Sequence, residues 1–304
     1  MQSLDNPNGK LVFQATWAAV IVASLLMFAK TLAWWLSTSL TIQASLLDSL
    51  SDFLGSIINF FAVRYSRKPA NDEYRFGHGK AEALGGFVQS MLIMASTFWL
   101  VWHAFHQPNI NQILSDNSIA IWVMAFSSAL TLGLVIFQIY TIKKTNSIAV
   151  KADFLHYQAD LLSNVVAIIA LIAMSHYGIT WIDQIFGIGI AVFLIFGSWG
   201  ILKQSASILM DKELEPQVRQ DIISIIQSNK SIIDTHDLRT RSTGHQDFIQ
   251  FHITLDPELS LKNAHVISDE VEETLRNAYP KSEIIIHLDP LGYNKSPKEI
   301  ESTP

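Results

Sequence analysis

The sequence predicts a membrane protein with an all-α six-helix transmembrane bundle followed by a small soluble α+β domain. Of its 304 residues, 49% are apolar and only 16% are charged, whereas an ordinary soluble domain has about 25% charged residues. Apolar residues concentrate in long runs between residues 11 and 208, and the last third has the mixed composition of a soluble domain. We therefore expect a transmembrane domain over residues 1–208 and a soluble domain over residues 209–304.

Six apolar segments are long enough to cross a bilayer, since one span needs about 20 mostly apolar residues. They cover residues 11–36, 43–65, 84–106, 118–142, 148–176 and 180–208. The second, third and fifth segments are less hydrophobic because they contain polar residues. Polar side chains inside a bilayer are costly, so we expect those of the weaker spans to have a function.

Lys and Arg are confined to two of the predicted loops, which fixes the expected orientation. The loop after the second span contains Arg67, Lys68 and Arg75, and the loop after the fourth contains Lys143 and Lys144. The loops after the first, third and fifth spans contain neither residue type. Because basic loops stay on the cytoplasmic side, both termini and the soluble domain are predicted to be cytoplasmic.

Composition also excludes several classes of function. The net charge is −6 and no basic tract is present, so a nucleic-acid partner is not expected. The chain has no cysteine, which excludes disulfides and thiolate metal sites. Any metal must therefore be bound by His, carboxylate, amide or backbone groups.

The second and fifth spans each carry a pair of titratable residues one helical turn apart. Asp48 and Asp52 form the pair in the second span, and His156 and Asp160 form it in the fifth. Residues at this spacing share one helix face. Further polar residues continue the same two faces, at Ser45, Ser56, Asn59, Asp153 and Asn164.

Carboxylates inside a bilayer require compensation. One charge near the bilayer centre costs about 2.5–3.5 kcal/mol on insertion scales. The charges of the three carboxylates in the two pairs must therefore be offset by protons, water or a bound cation. One imidazole with three carboxylates suits tetrahedral Zn²⁺, and Fe²⁺, Mn²⁺, Co²⁺ or Cd²⁺ also accept such ligands. The alternative is that these residues only hydrogen-bond across the bundle.

Protons should compete with metal for this site. Its ligands bind metal only after losing protons, while burial and like charge both favour the protonated carboxylate. This competition predicts that a divalent cation is exchanged for protons.

The soluble domain is predicted to have the order α-β-β-α-β. Its helices are expected over 214–229 and over 261–278 after a Ser260 cap, and its strands over 232–241, 247–256 and 283–289. The second strand alternates between an apolar and a polar face. His236, His252, His265, His287 and Asp289 fall on these elements. They predict a second metal site, although spacing alone does not show that they converge.

These motifs resemble those of the cation diffusion facilitators, and in particular the bacterial zinc/proton antiporters of that family. The resemblance covers residues 10–290 and is based on "DSLSD" (48–52), "FGHGKAE" (76–82), "HYQAD" (156–160) and a tail that runs "HDLRTR", "IQFH", "AH" and "IIHLDP". It implies a homodimer of six-span protomers in the inner (plasma) membrane, each with a cytosolic metallochaperone-like domain. The implied activity is export of Zn²⁺ in exchange for protons by alternating access.

The resemblance also implies roles for individual residues. Asp48, Asp52, His156 and Asp160 correspond to the transport site, which is the set that the two helix faces predict. A dinuclear cytosolic site that joins the protomers corresponds to the soluble-domain set: His236, His252, His265, His287 and Asp289. Lys80 and Asp211 match a charge pair at the membrane–cytosol junction, and Leu155 matches a hydrophobic gate.

The chain departs from the family pattern in the loop after the second span. Related proteins have a third metal site there, built from an Asp and two His residues. In "PANDEYRFGHGK" (69–80) two of the three matched positions are Asn71 and Tyr74, so only His78 remains, with Asp72 as a substitute ligand. We expect this loop site to be weak or absent.

Two other functions remain open from the sequence. The chain could be a membrane-anchored metal sensor, but an anchor needs no carboxylates inside the bilayer. It could be an intramembrane metallohydrolase, but no HExxH helix is present, and that motif supplies both the metal ligands and the base of one such class. We therefore expect a secondary transporter rather than an enzyme.

Overall fold

The protein is represented by a computed structural model, which describes residues 7–37, 40–106, 118–177 and 182–292. The chain divides into two compact units, Met1–Leu209 and Met210–Pro304, called here the helical unit and the C-terminal unit. The predicted membrane and cytosolic assignments of the two domains stay predictions.

The described part of the helical unit contains six long helices, and each overlaps one of the six predicted segments. They are α1 (Pro7–Ser37), α2 (Leu40–Ser66), α3 (Lys80–His106), α4 (Ser118–Thr145), α5 (Ile148–Tyr177) and α6 (Ile182–Leu209). Three helical stretches of the described chain are long and apolar enough to cross a membrane, namely Pro7–Trp35, Ala125–Thr145 and Ile185–Leu209. The crossing of all six helices therefore remains a prediction.

A tight turn joins α4 to α5. Asn146 has a φ of +55° and its N–H donates to Ile142 O at 2.9 Å, which is a left-handed helix end of the kind that Asn tolerates. Ser147 follows, and its Oγ accepts from Val150 N at 3.3 Å, as an N-cap residue does. The connection between the two helices is therefore only two residues long.

Small residues allow α1 to lie close to its neighbours. Ala15, Ala19 and Ala23 are each about 1% exposed, and α1 packs against α2 and α4. Small side chains at these positions permit close backbone approach, the usual basis of helix association in membranes. Helix α3 packs mainly against α6.

The C-terminal unit is a three-stranded sheet with two helices. Its elements are α7 (Pro216–Gln227), β1 (Asp234–Ser242), β2 (Asp247–Leu255), α8 (Leu261–Ala278) and β3 (Ser282–Pro290). The strand order is β1-β2-β3, with β1 antiparallel and β3 parallel to β2. The predicted cap is present, since Ser260 Oγ accepts from Asn263 N at 3.2 Å.

The core of this unit lies between the sheet and its helices, as the alternation in the second strand predicts. The buried face of β2 packs with α7 and α8 in one cluster: Ile222, Ile226, Ile249, Phe251, Ile253, Leu255, Val271 and Leu275. His252 lies on the opposite face of β2, because neighbouring strand residues point to opposite sides. His236 and His287 are the register partners of His252, so the three strand histidines lie on the face of the sheet opposite the core.

Candidate metal sites

Three of the four predicted transport-site residues meet between α2 and α5. Nε2 of His156 lies 2.6 Å from Oδ1 of Asp52 and 3.6 Å from Oδ2 of Asp160. One ligand atom from each residue lies within 4.8 Å of the others, a spacing that a single metal ion can bridge. All three residues are partly buried, so the cluster is neither sealed in the bundle nor fully exposed.

Asp48 is placed by its backbone alone. It lies on α2 one turn before Asp52, but its side chain is outside the described residues. Its participation in the site stays a prediction.

A second polar group lies one turn away on the same helices. The carboxylate of Asp153, which is 2% exposed, accepts from Gln138 Nε2 at 2.7 Å and from Ser56 Oγ at 3.3 Å. The hydroxyl of Tyr157 lies 3.0 Å from the same Ser56 Oγ. The sequence places Asp153 on the polar face of α5 but does not reveal these partners.

Glu82 holds the first turn of α5 from the neighbouring helix α3. Its Oε1 accepts from Ser147 Oγ at 2.5 Å and from Ile148 N at 3.1 Å. A carboxylate there also faces the positive end of the α5 dipole. The sequence shows Glu82 only as part of "FGHGKAE", with no signal for a partner 65 residues away.

Leu155, at the predicted gate position, is buried and packs against α6. A methyl group added at Gly197 would lie 2.7 Å from Leu155 Cδ1 and 2.9 Å from its Cδ2. The absence of a side chain at Gly197 therefore creates the space that Leu155 occupies. The gating role itself stays a prediction.

The predicted Lys80–Asp211 pair would join the two units and stays a prediction. Within the helical unit, Lys80 Nζ donates to Leu209 O at 3.3 Å. Within the C-terminal unit, Asp211 Oδ2 lies 3.6 Å from Arg241 Nη1.

The loop residue His78 has the surroundings of a packing residue. Its ring centroid lies 4.8 Å from that of Tyr65 and 4.7 Å from that of Tyr74, and its Nδ1 lies 3.3 Å from Lys68 O. Asp72 is exposed and pairs with Arg75 at 3.4 Å. Neither His78 nor Asp72 belongs to a group of three close metal-binding side chains within the described ranges, and the expectation that this loop site is weak or absent stays a prediction.

The strands of the C-terminal unit bring three histidines into one row around Asp289. His236 is the register partner of His252, and His252 is the register partner of His287. Asp289 Oδ2 lies 2.8 Å from His252 Nδ1 and 3.4 Å from His236 Nε2. Its Oδ1 lies 3.3 Å from His287 Nε2. One carboxylate thus contacts all three imidazoles, and its two oxygens face different histidines.

The histidines determine the acidity of Asp289. Partial burial acts to raise its pKa, but the hydrogen bond from His252 and the charges of His287, His252 and His236 lower it more, so the pKa of Asp289 lies below its ordinary value. The carboxylate is therefore ionised at neutral pH, which is the form that binds metal.

Asp237 is a further acidic neighbour that sequence analysis did not identify. Its Oδ2 lies 3.8 Å from His252 Nε2, on the ring nitrogen that does not face Asp289. The strand pairing is irregular between His236 and Arg239, and Asp237 there has a φ of +50°. Non-glycine residues rarely adopt this conformation, and it is often found at functional sites.

His265 does not join this cluster within the chain. It is exposed on the first turns of α8, where its Nδ1 lies 3.2 Å from Asp269 Oδ1. The groups of close potential ligands in the described chain are His236 with His252 and Asp289, and Asp52 with His156 and Asp160.

A helical unit with stretches apolar enough to cross a membrane and a His–carboxylate cluster between two helices, followed along the chain by a unit with a second such cluster, is typical of a metal-handling membrane protein. Residues 16–210 match the cation efflux transmembrane domain, and residues 214–291 match the cytoplasmic domain of cation efflux proteins. The chain belongs to the cation efflux family, the cation diffusion facilitators. It is accordingly a transporter rather than an enzyme.

Individual relatives agree with this assignment. The chain is 39% identical over 287 residues to the cation-efflux pump FieF of Yersinia enterocolitica serotype O:8 / biotype 1B. The aligned region covers 94% of this chain and 95% of the relative. FieF of Yersinia pestis (strain Pestoides F) matches with the same identity and coverage.

Solved structures of single domains also match about a quarter of the chain. A metal-bound C-terminal domain of the CzcD transporter from Thermotoga maritima is 24% identical, with a TM-score of 0.24, and covers 26% of this chain and 96% of its own. A cytosolic domain of a cation diffusion facilitator family protein is 26% identical, with a TM-score of 0.24, and covers 25% of this chain and 92% of its own.

Proposed function

We propose that this protein exports a divalent metal cation, with Zn²⁺ as the best-fitting substrate, in exchange for protons. The observation that carries the proposal is the cluster of Asp52, His156 and Asp160 between α2 and α5, with three ligand atoms within 4.8 Å of one another. Membership of the cation efflux family supports the direction of transport.

The ligand types favour Zn²⁺. An imidazole nitrogen and carboxylate oxygens are ligands that tetrahedral zinc accepts, and Asp48 would complete the set of four. The same ligands accept Cd²⁺, Fe²⁺, Mn²⁺ or Co²⁺, so selection among these ions would depend on cavity size and ligand geometry. The transported ion is a substrate, bound and released in each cycle.

The close contact between His156 and Asp52 supports exchange with protons. At 2.6 Å, one proton is shared in a hydrogen bond between the ring nitrogen and the carboxylate, and a metal ion can bind both groups only after that proton leaves. Metal binding on one side of the membrane would therefore release protons, and protonation on the other side would release metal. Either form reduces the charge of the cluster while the bundle changes its facing between the two sides.

We place all six helices across the inner membrane with both termini in the cytoplasm. Arg64 lies in the last turn of α2, and Lys143 and Lys144 lie in the last turn of α4. Basic helix ends on one side mark that side as cytoplasmic. The match of the C-terminal residues to a cytoplasmic domain supports the same orientation.

We further propose that the C-terminal unit binds metal and forms a homodimer. The imidazoles of His236 and His252 and the carboxylate of Asp289 offer ligand atoms within 4.8 Å, a donor set that fits Zn²⁺. His287 contacts the second oxygen of Asp289 and would serve a second ion. His265 lies apart from these residues in its own chain, and we assign it to the site of a second copy.

Reconstitution in proteoliposomes tests the transport proposal. A zinc indicator and a pH dye would be followed together, with Asp52→Ala as the test variant and Ser90→Ala, a buried residue of α3, as the matched control. We expect Asp52→Ala to abolish zinc-dependent proton movement and the control to retain it. Normal zinc flux in Asp52→Ala would exclude this site, and a zinc flux insensitive to an imposed pH gradient would exclude proton exchange.

A further inference from the structure

We propose that Asp153 is a positioning residue of the transport site: it fixes α5 against α2 and α4 so that His156 meets Asp52. This inference rests on the proposed function of the Asp52–His156–Asp160 cluster. It assigns a role to a buried carboxylate that is neither a ligand of that cluster nor part of the helix packing by apolar contacts.

Both oxygens of Asp153 are engaged by residues from other helices. Oδ2 accepts from Gln138 Nε2 of α4 at 2.7 Å, and Oδ1 accepts from Ser56 Oγ of α2 at 3.3 Å. The Tyr157 hydroxyl lies 3.0 Å from Ser56 Oγ, which can accept a hydrogen bond from it while donating to Asp153. The three partners are each about 1% exposed, so water cannot substitute for these bonds.

The Asp153–Ser56 contact and the transport cluster both lie between α2 and α5, in neighbouring layers along these helices. On α2, Asp52 and Ser56 are four residues apart, and on α5, Asp153 and His156 are three apart. Residues at these spacings lie on one face, about one turn or 5.4 Å apart along the helix. A rotation or shift of α5 that separates Asp153 from Ser56 would therefore also separate His156 from Asp52.

The position of Asp153 favours a supporting role over direct ligation. Among the described residues, the cluster of close metal-binding atoms in the helical unit contains Asp52, His156 and Asp160 but not Asp153. Ligands of a metal are commonly held by hydrogen-bonded residues behind them, and loss of such residues weakens metal binding. Asp153 would act through the helix, because its hydrogen bonds fix the rotation of α5 and do not contact the imidazole ring of His156.

Co²⁺ binding to the full-length protein in detergent tests this inference. His236→Ala and Asp289→Ala would be present in every sample, so that the absorption spectrum of Co²⁺ reports on the membrane cluster. The test variants are Ser56→Ala, Asp153→Ala and Asp153→Asn, and Asp52→Ala is the reference for loss of the site. Ser90→Ala is the matched control, because Ser90 is buried and, among the described residues, its Oγ donates to Gly86 O of its own helix, at 2.7 Å.

We expect Ser56→Ala and Asp153→Ala to weaken Co²⁺ binding by about tenfold and to alter the spectrum of the bound ion, while Ser90→Ala changes neither. Asp153→Asn should retain near-normal affinity, because its amide can accept from Gln138 and donate to Ser56. If Asp153→Asn is as weak as Asp153→Ala, the charge of Asp153 acts rather than its bonds, and the positioning role is wrong.

Two further outcomes separate this inference from the proposed function. If Asp52→Ala loses Co²⁺ while Ser56→Ala and Asp153→Ala both bind like Ser90→Ala, the positioning role fails and the transport site stands. If Asp52→Ala binds Co²⁺ normally, the transport site fails and the positioning role fails with it.

Discussion

A single ring nitrogen of His156 faces two carboxylates, one on its own helix and one on another. Nε2 lies 2.6 Å from Asp52 Oδ1 and 3.6 Å from Asp160 Oδ2. The Asp160 contact is set by the helical repeat, whereas the Asp52 contact depends on how α5 lies against α2. His156 thus makes one contact within its own helix and one contact between helices. It is also the only nitrogen ligand among the residues of this cluster.

Replacing His156 with Asp should shift the cation preference of transport. An all-carboxylate site favours Mn²⁺ relative to Zn²⁺, because imidazole suits zinc and carboxylates suit harder ions. We expect the Zn²⁺ to Mn²⁺ selectivity in a proteoliposome competition assay to fall by about tenfold or more. His287→Asp, which alters only the C-terminal cluster, is the control. Unchanged selectivity in His156→Asp would remove His156 from the ligand set.

Replacing Glu82 with Ala should destabilise the helical unit. The loss of the acceptor leaves Ser147 Oγ and Ile148 N without their buried partner, which costs about 1–3 kcal/mol. Glu82→Gln should cost less, since its amide oxygen still accepts from both groups. Unfolding of the purified protein in mixed detergent measures the difference. Equal losses in the two variants would show that the charge of Glu82, rather than its hydrogen bonds, stabilises the start of α5.

Replacing Gly197 with Ala should impair transport without preventing folding. The new methyl group would lie 2.7 Å from Leu155 Cδ1, so Leu155 must change its rotamer beside His156. Gly200→Ala is a matched control on the same helix, because a methyl group there meets nothing within 4 Å among the described residues. We expect a lower zinc flux for Gly197→Ala only. Equal rates in the two variants would show that the Leu155–Gly197 contact has no part in transport.

Replacing His252 with Ala should raise the pKa of Asp289 toward its ordinary value. The hydrogen bond from His252 and the neighbouring imidazoles keep the pKa of Asp289 low in the folded chain. A carboxyl group with a lowered pKa adds stability above its unfolded pKa, about 3.9, and this stability is lost as the pH falls through the folded value. Carboxyl-carbon NMR titration of metal-free residues 210–304 measures both variants. A shift in the opposite direction would contradict this account.

Sequence patterns predicted the features that depend on local repeats. Alternation along β2 identified its buried face, with Phe251 and Ile253 in the core and His252 outside. The spacing of His156 with Asp160 predicts a shared helix face, on which the two side chains lie 3.6 Å apart. In these cases the periodicity of one element is sufficient, because it decides which side chains share a face.

The features that sequence analysis missed depend on how separate elements approach each other. Glu82 reaches Ser147 because α3 lies beside the start of α5, and no pattern within either segment specifies that approach. Asp237 comes near His252 because the strand pairing is irregular there and Asp237 has a positive φ. No pattern in the surrounding sequence predicts either feature. The spacing along α5 predicts the face on which Asp153 lies, but its partners Gln138 and Ser56 come from two other helices.

The two-residue link between α4 and α5 has a mechanical consequence. Asn146 and Ser147 are both held by hydrogen bonds to the helices they join, so the link cannot act as a hinge unless those bonds break. Farther along, the hydrogen bond from Gln138 to Asp153 joins the two helices a second time. Because they are joined at two levels, α4 and α5 are expected to move as one body, and in the proposed transport cycle any displacement of His156 would move α4 as well.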